Sequence, residues 1–134
     1  MLRRKTPTPR RQRERFGIER RPPRIFRRHR GFVKLHECLL KGHGDHVCSG
    51  DLEFAHCRHE TDGTQEDQPS DWWGNPLCEG GHKWQHQHGE PATERKYGVR
   101  LKHSALQFAA ASPDIAMKEA MAEMRRREPW MFEV

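Results

Sequence analysis

A small α+β domain with a basic N-terminal arm and a helical C-terminal extension is what these 134 residues predict, on three observations. Asp51–His56 alternates apolar and polar residues, with Leu52 and Phe54 on one side and Glu53 on the other, and reads as a strand ending at His56. Cys78, His82 and His86 follow at four-residue intervals, which puts them on one stripe of a helix where the two imidazoles can reach one cation. Composition is the third. With 33% hydrophobic residues and a mean hydropathy of −1.11 the apolar core is thin, so a chain of this length needs another staple. Four Cys and ten His supply ligands for a metal.

The arm comes first. Residues 1–30 hold thirteen Lys/Arg against Glu14 and Glu19, a net of +11, whereas residues 31–134 carry twelve against seventeen acids, a net of −5. So polar a stretch, broken by Pro22 and Pro23, cannot bury enough surface to fold alone and is expected to be largely extended or disordered. Arg outnumbers Lys twelve to one in it, and the guanidinium fork suits phosphate. Arg10, Arg11, Arg13, Arg20, Arg21, Arg24, Arg27 and Arg28, joined by Arg58 further along, are the candidate nucleic-acid contacts, with DNA as the expected partner. The plainer reading is a solubilising tail.

A metal-bearing domain is expected over 31–112, with packing starting through Ile25, Phe26, Phe32, Val33 and Leu35. After the strand, residues 61–70 are polar and turn-rich and read as a loop. Asn75-Pro76-Leu77-Cys78 then leads into a helix over 79–88 that closes near Gly89, although Gly80 and Gly81 weaken its first turn. From about residue 91 the chain reads helical, with Pro91 and Pro113 as first-turn prolines and Ser112 as an N-cap. The segment 113–134 is a C-terminal helix and tail whose face of Ile115, Met117, Ala120, Met121 and Met124 packs on the core or on a partner. At least two of Trp72, Trp73 and Trp84 belong in the core. No hydrophobic run approaches the length of a membrane span and no signal segment opens the chain, so a cytoplasmic location is expected. Reduced thiols there favour metal ligation over a Cys38–Cys48 disulfide.

Taken in order, Cys38, Cys48, Ala55-His56, Arg58, Thr61-Asp62-Gly63, Ser70-Asp71, Pro76-Leu77-Cys78, His82, His86 and Ser112-Pro113 resemble the HNH endonuclease superfamily. Within it they are similar to a phage and prophage family related to a recombination-enhancement nuclease. The resemblance spans roughly residues 27–113. It implies a ββα-metal, treble-clef-like fold and a metal-dependent DNA endonuclease or nickase in a bacterial host cell, with phage recombination or packaging proteins as further partners. His56, seven residues before Gly63, takes the place of the general base. His82, four after Cys78, takes that of the ligand to a catalytic Mg, Mn, Ni or Zn ion, and His86 is a second ligand or a phosphate contact. Cys38, Cys48 and Cys78 stand where the family holds a structural zinc.

Three departures shape the expectations. Ala55 stands where an Asp or His commonly ligates the cation, which brings in Asp71 as a ligand. The signature Asn falls near Trp73, leaving Asp71 or Asn75 to orient the base. Gly81, three after Cys78, cannot be the fourth zinc ligand, so His43 or His46 must supply it. Cys57 is expected to pack on the opposite strand face, His59 and His88 to be solvated, and His29, His36 and His103 to be structural or phosphate-facing. The rival readings are a non-catalytic, zinc-stabilised DNA-binding protein and an adaptor that docks through its C-terminal helix.

Overall fold

The computed structural model describes residues 22–134; Arg10, Arg11, Arg13, Arg20 and Arg21 lie outside the described residues. Helix α1, Arg27–Val33, begins inside the stretch whose composition suggested an extended arm to residue 30. The cause is a buried stripe. Phe26, His29 and Val33 recur at three- and four-residue spacing and are 7%, 0% and 0% exposed, while Arg27 and Arg28 point outward.

Strand β1, Leu52–His56, pairs antiparallel with β2, Gly74–Cys78, with Leu52 opposite Cys78 and His56 opposite Gly74. The second strand replaces the expected lead-in to a helix. All five of its residues are buried, and the Pro76 carbonyl accepts from the Leu39 N–H at 2.8 Å. Gly74 is required by close approach: a Cβ there would lie 2.0 Å from the Phe54 ring. Phe54 therefore lies on the Gly74 backbone and packs edge-on to the His56 ring at 5.1 Å.

Helix α2, Glu79–His88, follows directly, capped by the Cys78 sulfur, which accepts from the Gly81 N–H at 3.3 Å. Gly89, at φ +91°, separates it from α3, Glu90–Tyr97, where Pro91 sits in the first turn as expected. Helices α4, Leu101–Ala111, and α5, Ile115–Arg127, complete the α-helices of the described residues. The N-cap of α5 is Asp114, whose carboxylate accepts from the Met117 N–H at 3.0 Å, rather than Ser112. Ser112 instead closes α4, with its hydroxyl oxygen accepting from the Asp114 N–H.

One core joins these elements. Trp72 and Trp73, both 0% exposed on the short 3-10 turn Asp71–Trp73, meet Leu77 of β2, Leu101 and Ala105 of α4, and Met117 and Met124 of α5. The methionine face of α5 is thus core, with Ile115 left exposed and Trp84 only partly buried. The result is a small α+β fold of helices around a two-stranded sheet. Among the described residues no helix is long and apolar enough to cross a membrane.

Candidate functional site

Two groups of ligand-type side chains flank helix α2. At its N-terminus, Cys38, His46, Cys48 and Cys78 bring their donor atoms within 4.8 Å of one another. His46 Nε2 lies 3.8 Å from Cys38 Sγ and 3.4 Å from Cys78 Sγ. Tetrahedral zinc with ordinary bond lengths would set S and N about 3.5–3.8 Å apart, so the spacing fits. Three thiols and an imidazole are also the donor set that selects zinc over hard cations. None of the cysteines forms a disulfide.

The fourth member is His46; His43 lies outside the group. His43 is exposed and serves the turn, its carbonyl accepting from the His46 N–H and its N–H donating to Leu40. Gly81 explains the choice. A Cβ on Gly81 would stand 3.1 Å from Leu40 and 3.3 Å from the His46 ring, so the missing side chain is the space the loop histidine fills. Burial alone would raise the Cys78 thiol, but N–H donors from Ser49 and Gly81 outweigh it and hold the thiol below its ordinary value. Cys57, by contrast, is 1% exposed and packs away from the group, and burial pushes its thiol well up.

The second group opens on a cavity of about 550 Å³ walled by Arg30, Phe54, His56, Arg58, His82 and His86, among others. His56 arrives from the end of β1; His82 and His86 are one turn apart on α2. The Nε2 atoms of His82 and His86 are 3.0 Å apart. Two nitrogens each about 2.1 Å from one cation would subtend roughly 90° at that separation, which suits a six-coordinate ion. His82 Nδ1 bonds Glu53 Oε1 at 2.7 Å, the carboxylate–histidine arrangement that sets which ring nitrogen faces a metal. Glu53 was not among the expected site residues, although the strand alternation had already set it opposite Leu52 and Phe54. His59 is exposed on the cavity rim, and His88 is exposed and stacks on Trp84.

Asp71 is not placed to ligate a cation. Its side chain is 1% exposed and both oxygens are taken: Oδ1 by His56 Nε2 at 2.9 Å and an Arg30 nitrogen at 2.9 Å, Oδ2 by Arg30 Nε and the Phe26 N–H, both at 2.7 Å. Burial would raise this carboxyl, but hydrogen bonds from His56, Arg30 and Phe26 outweigh it and hold Asp71 below the usual carboxylate range. Asp71 therefore orients the His56 ring. Asn75 does not, because its amide is bonded to the Leu101 carbonyl at 2.9 Å and the Cys57 sulfur.

Two of the expected nucleic-acid arginines have their head groups engaged within the fold. Arg24 donates to the Gln68 carbonyl and lies 3.6 Å from the Asp62 carboxylate. Arg58 donates to the Thr64 carbonyl at 2.7 Å. Arg27 and Arg28 remain exposed on α1. His29 is structural: it is 0% exposed, bonds Ser112 through Nδ1 at 2.9 Å, and is lowered to about 4 because burial outweighs the nearby Asp71 and Asp114 charges. His36 is also structural, bonding the Phe32 carbonyl at 3.0 Å. No protein-family model, curated protein or solved structure matches this chain.

Proposed function

We propose that this protein is a metal-dependent DNA endonuclease or nickase of the HNH kind, with His56 as general base and His82 and His86 as ligands of a divalent cation. One observation carries the reading: the three histidines line the same cavity, and His56 is anchored through Nε2 alone. Asp71, held ionised, accepts the Nε2 proton, so Nδ1 carries the lone pair. Nδ1 takes a proton from water as the water oxygen bonds to phosphorus and one P–O ester bond breaks. Glu53 accepts the His82 Nδ1 proton and leaves Nε2 to face a ligand. A cation bound there, Mg, Mn, Ni or Zn, would supply charge stabilisation for the scissile phosphate and the leaving oxygen. The Cys3His group would hold a structural zinc, which would fix the start of α2 and with it the helix that carries His82 and His86.

The test is nicking of supercoiled plasmid with each of the four cations and with none added. The parent nicks only with added cation, and His56→Ala lowers the rate by roughly two or more orders of magnitude while DNA affinity and zinc content stay unchanged. A parent that nicks with none of the four cations is a zinc-stabilised DNA binder instead.

A further inference from the structure

The segment preceding the sheet reaches Asp71 three times. The Arg24 carbonyl accepts from the Asp71 N–H at 2.8 Å, the Phe26 N–H donates to Oδ2 at 2.7 Å, and the Arg30 guanidinium spans both carboxylate oxygens through Nε and a terminal nitrogen. Arg30 is itself seated. Its guanidinium lies 5.3 Å from the centroid of Phe54, whose ring packs against His56. Arg30 is 35% exposed, with its side chain on the cavity wall.

We infer that Arg30 is a positioning residue, acting through Asp71 to hold the His56 ring with its Nε2 proton on Asp71 and its Nδ1 lone pair toward the cavity. Charge compensation links Arg30 to the His56 ring. A carboxylate that is 1% exposed keeps its charge only while a cation and hydrogen bonds offset its desolvation. Without the guanidinium, Asp71 has the Phe26 N–H and His56 alone to hold it, and it takes up a proton. A neutral Asp71 can donate as well as accept, so the preference of His56 for the Nε2–H tautomer is lost. A bidentate fork also fixes the plane of the carboxylate, which a point charge does not.

This inference rests on the nuclease reading only for its kinetic arm. The experiment is nitrogen-15 NMR of the histidine rings in the full-length, zinc-loaded protein, compared among parent, Arg30→Gln and Arg30→Lys, with plasmid nicking measured on the same samples. The parent shows His56 as the Nε2–H tautomer. Arg30→Gln shows a mixture, and its kcat falls on the order of tenfold to a hundredfold with KM nearly unchanged. Arg30→Lys restores part of both. An unchanged His56 tautomer in Arg30→Gln overturns the proposal, and a raised KM with kcat and tautomer intact makes Arg30 a phosphate contact instead. If the parent fails to nick with any of the four cations, the nuclease reading falls while the tautomer comparison still decides what Arg30 does. Should Arg30→Gln fail to fold, Arg30→Met decides: its charge is gone, so a fully parental tautomer again refutes the role.

Discussion

Helix α2 separates two ligand clusters built on opposite plans. At its cap, four protein donors from loop and strand end converge within 4.8 Å, three of the four sulfur or nitrogen groups buried or partly so. One and two turns on, two imidazoles present adjacent nitrogens to an open cavity of about 550 Å³, with no third protein ligand grouped with them among the described residues. A tetrahedral ion in the first group has no position left for substrate; an ion in the second keeps several. Closed and open arrangements thus sit on one short helix: the first gathers its donors at the helix start, and the second turns its two imidazoles toward the cavity.

That division is sharpest where a single change removes the closed centre. Cys78→Ser, or chelation of zinc, is expected to unfold the domain, since structural zinc sites contribute on the order of 10 kcal/mol of folding free energy and this core is thin. Far-UV circular dichroism with and without zinc measures it. A folded, chelator-insensitive protein would show that the closed centre does not hold the fold together.

Acid sensitivity comes next and lies outside both clusters. His29 is lowered to about 4 in the fold against 6.5 ordinarily, so the unfolded chain binds the extra proton between those values. No penalty exists above pH 6.5; stability is lost as pH falls from 6.5 to 4, by up to roughly 3 kcal/mol. Asp71, held low, adds a loss in the same direction once pH drops through its folded value. Denaturant titrations of the parent and His29→Gln at pH 7 and pH 4.5 isolate the histidine, because the acid response of the zinc ligands is common to both. Equal slopes with pH would refute the assignment.

The smallest effect probes the open centre. Glu53→Gln should raise the cation concentration for half-maximal nicking about tenfold to a hundredfold and leave zinc content at the parent level. A simultaneous loss of zinc would show that the two centres are not independent.

The sequence disclosed the candidate ligands whose grouping lies in local spacing. Cys78, His82 and His86 share a stripe because a helix repeats nearly every four residues, and His56 ends a strand legible by alternation. The supporting residues were hidden. Glu53 meets His82 across 29 residues and Arg30 meets Asp71 across 41, and no periodicity reports such distances. Local breakers misled as well: Gly74 and Pro76 argue against a strand, yet Gly74 is needed beneath Phe54 and Pro76 still offers its carbonyl. Ser112 and Asp114 are both good caps, and only the start of α5 decides between them. Asp71 looked like a metal ligand because nothing in its neighbourhood of the chain shows that Arg30 and His56 occupy both its oxygens.

Native mass spectrometry of the full-length protein tests the contrast between closed and open centres most directly. The parent should carry one tightly held zinc and take up a second, weaker ion when Mn²⁺ or Ni²⁺ is added. His82→Ala with His86→Ala should abolish the second ion and keep the first. A parent that binds a single metal in all conditions, or a double variant that loses both ions together, would contradict the account.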